Sequence, residues 1–498
     1  MSDPTNPHKQ QTRSRSGRLS ALAIPAGFAV AAILLSIMAA GGLYLAGKEG
    51  IFVALALALL IGLSIVIVAE LDGWLPAIFC LSLLAGLNLS VRSIGLTVYA
   101  FDPLLVTLYV AWLWRAYHGS AKPVRVTAVD WVGLALMIWL LLASLLGRHV
   151  PTALNGWLLY LRGFLIYFYF AHALHVRWQV RTVVAALLAM LAVQGGLGLL
   201  QFVTRSNIGS ISDLVGSTVS TVREVSAGGG NLFRVRGTLN TDTSLAHWLE
   251  LLVPLGLSLW LAARTRTRRV LLGACVLAGT ATQVVTFTRG GWFGLAASVL
   301  VVLWLQFRGR LVVRRQLTTA LLAALLLLAL LLPFGGLIRA RLFESDENTL
   351  TVRENLNRTA LSVMADYPLT GIGLDNFVRV APEYGIGWSW KMEGEMHKVH
   401  NMYLALASEA GTLGLVLLLA FVSIIVAQVW KNLQNGGPPG SAGWGMALHR
   451  GLLAGLVGMA VHGLVAWGLL SYAVFPLFWL SLGLLAGSSL HHEPAGPV

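Results

Sequence analysis

The chain has little charge and almost no thiol. Charged side chains make up 11% of its 498 residues and hydrophobic ones 57%, for a mean hydropathy of +0.75. So little polar surface cannot cover a soluble globule of this size, and a membrane must supply most of its solvent. The two cysteines, Cys80 and Cys275, sit inside apolar runs with no metal-ligand spacing around them, so neither a disulfide framework nor a zinc motif is implied. Acidic residues are scarce too, 21 against 35 Lys and Arg, giving a formal charge of +14. In a soluble protein that excess would suggest nucleic acid. Here many of the basic residues form short clusters between apolar runs, as the positive-inside rule expects, and no nucleic-acid partner is implied.

What the chain does have is long apolar runs near the roughly 20 residues a helix needs to cross about 30 Å of hydrocarbon. Met1 to Ser20 is polar and carries Lys9, Arg13, Arg15 and Arg18; Ala21 to Gly47 is apolar. That run is too long for a signal-peptide core, so it reads as a retained first span with a cytoplasmic N-terminus. Spans are predicted near 21–47, 50–69, 74–91, 95–114, 129–147, 153–174, 182–203, 244–263, 270–288, 291–307, 316–336, 401–429, 451–470 and 472–490. An even number returns the C-terminus to the cytoplasm. The clusters Arg115/Lys122/Arg125, Arg177/Arg181, Arg264 to Arg269 and Arg308 to Arg315 all fall on the side of the N-terminal tail.

The expected fold is an all-α polytopic membrane protein of about 12–14 transmembrane helices with a partly helical outer loop domain. It divides into a cytoplasmic basic tail (1–20), an N-terminal bundle (21–203), a first long outer loop (204–243), central helices (244–336), a second long outer loop (337–400), C-terminal helices (401–490) and a cytoplasmic tail (491–498). The first loop is rich in Ser, Thr and Gly and has little to bury, so it is expected to be mobile. In the second, Thr351-x-x-Glu354 reads as a capping box, and Val352, Leu356, Ala360 and Val363 repeat at helical spacing. Glu354 can pair with Arg358, and the resulting amphipathic helix ends before Pro368.

Several polar residues fall where chemistry is possible. Arg289, in Thr286-Phe287-Thr288-Arg289-Gly290-Gly291-Trp292, lies at the outward end of one apolar run and the start of the next. A guanidinium there either snorkels to the interface or meets an anion, and the two glycines permit close approach. Arg234 and Arg236 precede the span that starts near Ser244; in extended backbone they point in opposite directions, so only one faces any given site. His400 begins the string in which the second loop re-enters the membrane. It is either a structural residue at a helix start or a general base, since its imidazole titrates near neutral pH. Glu409 is a partner for an arginine or a packing carboxylate. Arg162 interrupts an apolar run, with Asp102, Asp130 and Glu250 as possible partners. The set is rich in arginine, which suits bidentate recognition of a phosphate or diphosphate without a divalent ion.

These residues resemble the O-antigen ligase and polymerase superfamily. His400-Asn401, with Gly411 and Gly414 in register, is similar to that family's histidine motif. Thr286 to Gly290, Arg234-x-x-Gly237-Thr238 and Pro368-Leu369-x-Gly371-x-Gly373 resemble three more of its elements, in the right order over residues 230–415. The resemblance implies a GT-C-like glycosyltransferase of the bacterial cytoplasmic membrane, acting in lipopolysaccharide or other cell-envelope polysaccharide synthesis. Such an enzyme takes a glycan from undecaprenyl diphosphate on the outer side and joins it to a lipid or glycan acceptor hydroxyl. It further implies Arg289 and Arg234 as diphosphate ligands, with Arg236 as substitute for Arg234. His400 would be the base, Asn401 and Arg162 further substrate-binding candidates, and neither metal nor other cofactor is needed. Ligation to lipid A core, polymerisation and transfer to protein share this donor chemistry, and bicarbonate-type transporters share the scaffold.

Overall fold

The structure, a computed structural model, describes residues 74–85, 88–91, 96–99, 101–118, 123–174, 176–209, 224–227, 230–239, 241–308, 336, 339, 347–385, 398–435, 443–468, 471 and 473–490. The predicted spans 21–47 and 50–69, nearly all of 316–336 and both tails lie outside these residues.

The chain divides into two compact units, the first formed by Met1–Phe79 and Phe101–Pro123. Helix α1 (Leu75–Ser82) begins in this unit and α2 (Asp102–Tyr117) lies wholly within it. Phe79 and Phe101 are both buried and meet edge to face with ring centroids 6.3 Å apart. The spans expected at 74–91 and 95–114 need correcting. After α1 and a 3-10 turn, Asn88–Val91 (β1) pairs antiparallel with Leu96–Tyr99 (β2), and the helix of the second run starts only at Asp102. Hydropathy averages hid the cause: Asn-Leu-Ser-Val and Leu-Thr-Val-Tyr alternate with period two, a strand pattern.

The second unit, Cys80–Ala100 with Val124–Val498, holds the rest. Its helices are α3 (Ala128–Leu145), α4 (Val150–His172), α5 (Arg177–Thr204), α6 (Asp242–Ala262), α7 (Arg266–Val285), α8 (Arg289–Phe307), α9 (Glu347–Asp366), α10 (Phe377–Val380), α11 (Met402–Gln434), α12 (Trp444–His462) and α13 (Phe475–Leu490). Among the described residues six of these, α3, α5, α6, α8, α11 and α12, are long and apolar enough to cross a membrane. Part of the first long loop, expected to be mobile, instead forms a hairpin of β3 (Glu224–Ala227) and β4 (Gly230–Phe233). Its register pairs Ala227 with Gly230 and Glu224 with Phe233.

Helix α6 is the most enclosed of the six, packed against α5, α7, α8 and α12. Lipid supplies no hydrophobic force between helices, so close backbone approach must hold them together. On α12, Gly451 and Gly455 lie against the backbone of Leu255 and Leu251 on α6, and Gly458 against Gly294 and Ser298 of α8. Pro254 inside α6 cannot donate to the carbonyl of Glu250, and the Ser298 hydroxyl donates to that oxygen instead at 3.4 Å. A second group joins α3, α4, α11 and α13. There Asp130 accepts from Tyr167 Oη and His172 Nε2, each at 3.0 Å, tying α3 to α4.

Helix α11 breaks at Gly411, which has φ 73° and ψ 172°. The break frees backbone groups that the loop after α9 takes up: Ile372 N donates to Ser408 O, Gly373 N to Glu409 O, and Thr412 N to Pro368 O, at 2.9–3.1 Å. Trp139 Nε1 of α3 donates to Ala410 O at 3.0 Å. Helix α9 is the amphipathic helix expected from the sequence: Leu356, Ala360 and Val363 are buried with Ile372 and Phe377, and Glu354 pairs with Arg358 at 2.6 Å. It starts at Glu347, so Thr351 lies in its interior and the expected capping box does not form its end.

A Cβ at Gly411 would meet Leu369 O at 1.6 Å, whereas one at Gly196 on α5 would meet nothing within 4 Å. Gly411→Ala should therefore lower the melting temperature in detergent sharply or prevent folding. Gly196→Ala should be neutral or stabilising by up to about 1 kcal/mol, as for a helix-interior glycine. Equal melting temperatures for the two variants would contradict this packing.

Candidate functional site

The segment Phe233 to Leu239 is held in shape by two glutamines of α5. Gln201 Oε1 accepts from the backbone N–H of Arg236 and Gly237 at 3.1 and 2.9 Å, and its amide donates to Gly237 O at 2.7 Å. Gln194 accepts from Thr238 N at 3.0 Å and donates to its hydroxyl at 2.7 Å. Gly237 has φ 60°, and a Cβ there would collide with Gln194. The glycine and threonine of Arg-x-x-Gly-Thr thus serve to fold the segment and leave Arg234 to reach outward from it.

Arg234 reaches the turn between α7 and α8. Its Nε donates to Thr286 O at 3.0 Å and its Nη2 to Thr288 Oγ1 at 2.9 Å, and it forms an ion pair with the buried Asp242 at the start of α6. Thr288 Oγ1 donates on to Asp242 at 3.3 Å. Phe287, in the middle of this turn, is fully buried with φ 51°, a conformation costly for a bulky residue and sustained only by its surroundings. The turn delivers Arg289 as the first residue of α8. Free N–H groups and the positive end of the helix dipole lie at that point, both favourable to an anion.

A third guanidinium joins these two. Arg353 of α9 is half-buried, and its affinity for a proton is lowered by burial first and then by the charges of Arg289 and Arg234. Arg353 therefore feels two arginines from two other segments, one of which, Arg234, is paired with Asp242. Among the described residues neither Arg289 nor Arg353 is paired with a carboxylate. The cluster carries a surplus of two positive charges, which suits a doubly charged anion.

His400 lies at the start of α11. Asn401 Oδ1 caps that helix by accepting from Tyr403 N and Leu404 N at 3.0 and 3.1 Å, so this oxygen is engaged with the backbone. Met402 N donates to Gly463 O at 2.8 Å, tying the start of α11 to the end of α12. The preceding residue, His462, packs against Gly290, the neighbour of Arg289. This run of contacts brings the His400 segment to the end of the bundle that carries Arg289. Two residues before His400, Lys398 pairs with Asp375 at 2.7 Å. Burial alone would lower the pKa of its ammonium, but Asp375 and Glu409 outweigh that and raise it. A raised ammonium stays protonated at neutral pH, which leaves His400 as the base candidate of this segment.

Arg236 is buried, 6% exposed, with its N–H held by Gln201. Arg162 lies on α4 with its guanidinium 5.1 Å from the centre of the Tyr99 ring. Two of its suggested partners are engaged elsewhere, Asp130 with His172 and Glu250 with two histidines.

Residues 274–419, running from α7 to just beyond the break in α11, match the O-antigen ligase family. The matched stretch contains Arg289, Arg353 and His400, while Arg234 comes from outside it. A search of curated proteins finds no significant match. A likeness to membrane glycan ligases agrees with the apolar helices. Sequence reasoning missed Arg353 within the matched stretch, although a signal was present. Arg353 precedes Leu356 and Ala360 by three and seven residues, so it shares the buried face of α9.

Gln201→Leu removes the acceptor of two buried backbone N–H groups, a loss of about 1–3 kcal/mol for each buried donor left unsatisfied. We expect a lower melting temperature together with weaker donor binding, because Arg234 loses its frame. Wild-type values of both would show that Gln201 does not shape the segment.

Proposed function

We propose that the protein is a glycosyltransferase of the bacterial cytoplasmic membrane that moves a glycan from undecaprenyl diphosphate to an acceptor hydroxyl. The site faces the non-cytoplasmic side, and both termini are cytoplasmic. The observation that carries this reading is the convergence of Arg234, Arg289 and Arg353 with a single carboxylate, Asp242. A lipid-linked diphosphate presents two adjacent anionic groups at the membrane surface, and planar guanidiniums grip such oxygens in pairs. Arg289 and Arg353 bind the donor directly. Arg234, braced by Asp242 and Thr288, orients its remaining N–H groups toward it.

In the transfer step the acceptor hydroxyl loses its proton to the His400 imidazole as its oxygen bonds to the anomeric carbon. The bond from that carbon to the phosphate oxygen breaks, and the electron pair leaves on undecaprenyl diphosphate. The arginines stabilise the charge that develops there, so no divalent ion is needed at the diphosphate. Asp242, the carboxylate of the cluster, is held in an ion pair by Arg234, and direct displacement by the acceptor inverts the anomeric centre. Ligation to lipid A core and chain polymerisation share this step and differ in the acceptor.

Purified protein with a lipid diphosphate-linked glycan and candidate acceptors tests this. His400→Ala should lower kcat about 10²- to 10⁴-fold while donor binding persists, the range for loss of a general base. Arg353→Ala should raise the KM for donor about 10- to 100-fold, as for a lost charge-assisted hydrogen bond. Full activity in His400→Ala would overturn the assignment of the base, and unchanged donor kinetics in both Arg289→Ala and Arg353→Ala that of the diphosphate site.

A further inference from the structure

Eight residues beyond Asp242 on α6, about 12 Å along the helix, a second polar cluster is sealed inside the bundle. His247 and Glu250 stand one turn apart on α6, and His462 ends α12. The Glu250 carboxylate lies between the two imidazoles, Oε2 at 3.2 Å from His247 Nδ1 and Oε1 at 2.6 Å from His462 Nδ1. The rings stack with centroids 3.9 Å apart. None of the three is more than 1% exposed. Ligand atoms from all three lie within 4.8 Å of one another.

Hydrogen bonding within the protein leaves this cluster incomplete. Nε2 of His247 and Nε2 of His462 have no hydrogen-bond partner, and neither does the amide oxygen of Gln283, which is fully buried. Gln283 lies alongside: a Cβ on Gly291 would be 2.5 Å from its Nε2 and 3.3 Å from Glu250 Oε1. Three unpartnered polar atoms near a buried carboxyl group are costly in a membrane interior, where each unsatisfied group costs several kcal/mol. A cation held by the three side chains would balance a carboxylate charge buried there.

We propose that His247, Glu250 and His462 form a buried site for a divalent transition-metal ion, zinc by its donor set, with Gln283 or a water completing the shell. Two imidazoles and one carboxylate make a donor set that zinc accepts. The 3.2 Å separation matches the ~3.3 Å between ligand atoms that tetrahedral bonds of about 2.0–2.1 Å require, and the 2.6 Å one must open by about 0.7 Å on binding. The ion's role is positional and separate from the transfer step. It locks the end of α12 to α6, and that end holds both neighbours of the outer site: Gly463 O receives Met402 N, and His462 supports Gly290 beside Arg289.

The test uses the full chain in detergent, purified without an oligohistidine tag, stripped with chelator and titrated with zinc alone. We expect one equivalent of zinc by elemental analysis and a rise of several degrees in melting temperature, with Co²⁺ in the wild-type protein giving a tetrahedral ligand-field absorption. Glu250→Gln, which keeps side-chain shape, and His462→Ala should lose the equivalent, while Arg289→Ala keeps it and loses donor binding. Absence of stoichiometric zinc and of the cobalt spectrum in the wild-type protein would overturn the site, as would full zinc occupancy in Glu250→Gln. Neither result depends on the donor, so the site can fail while the transferase reading stands, and the reverse.

Discussion

A helix inside a membrane must satisfy its own backbone, and where it breaks another segment must do so for it. The break at Gly411 sets that requirement here. The groups it frees on α11 are met by Pro368 to Gly373, and the glycines of that loop come so close to Glu409 and Gly411 that side chains would not fit. The same loop follows directly from α9, so anchoring it also anchors the helix that carries Arg353. On the other side of the break the first turns of α11 run back to Asn401 and His400. One set of main-chain hydrogen bonds thus positions both the helix of Arg353 and the start of α11 at His400.

The arginine cluster rests on a second constraint, the cost of gathering like charges in a half-buried place. Asp242 offsets one guanidinium, the start of α8 adds oriented N–H groups, and the strained Phe287 holds the turn between them. The two α5 glutamines support the arrangement from behind by completing the backbone hydrogen bonds of the Arg234 segment. The result stores positive charge that a bound anion would relieve. The parts that touch nothing reactive, such as Gln201 and Thr286, are as necessary to the geometry as the arginines.

Much of this was readable in the sequence. Long apolar runs announced a polytopic helical protein, helical spacing of Val352, Leu356, Ala360 and Val363 announced α9, and three of the four short motifs fall in the stretch that matches the O-antigen ligase family. Each is a local pattern, set by a helix's need for apolar length or by a turn's need for glycine. Reading failed where an average concealed a different local period, as at Asn88–Val91 and Leu96–Tyr99, or where one polar residue shared an apolar face, as Arg353 does.

Which distant residues meet was decided by the tertiary structure alone. Arg234 finds Thr286 across 52 positions, Glu250 finds His462 across 212, and Trp139 finds Ala410 across 271. Periodicity runs along one element and carries no record of such partners. They are chosen when glycine-lined helices close against one another and every buried charge and backbone group must find its complement at once. The sequence by itself determined that this chain is a polytopic membrane protein and carries arginines of the kind that suit an anion. Only the packing decided that Arg353 comes near Arg234 and Arg289 and that Glu250 lies between His247 and His462.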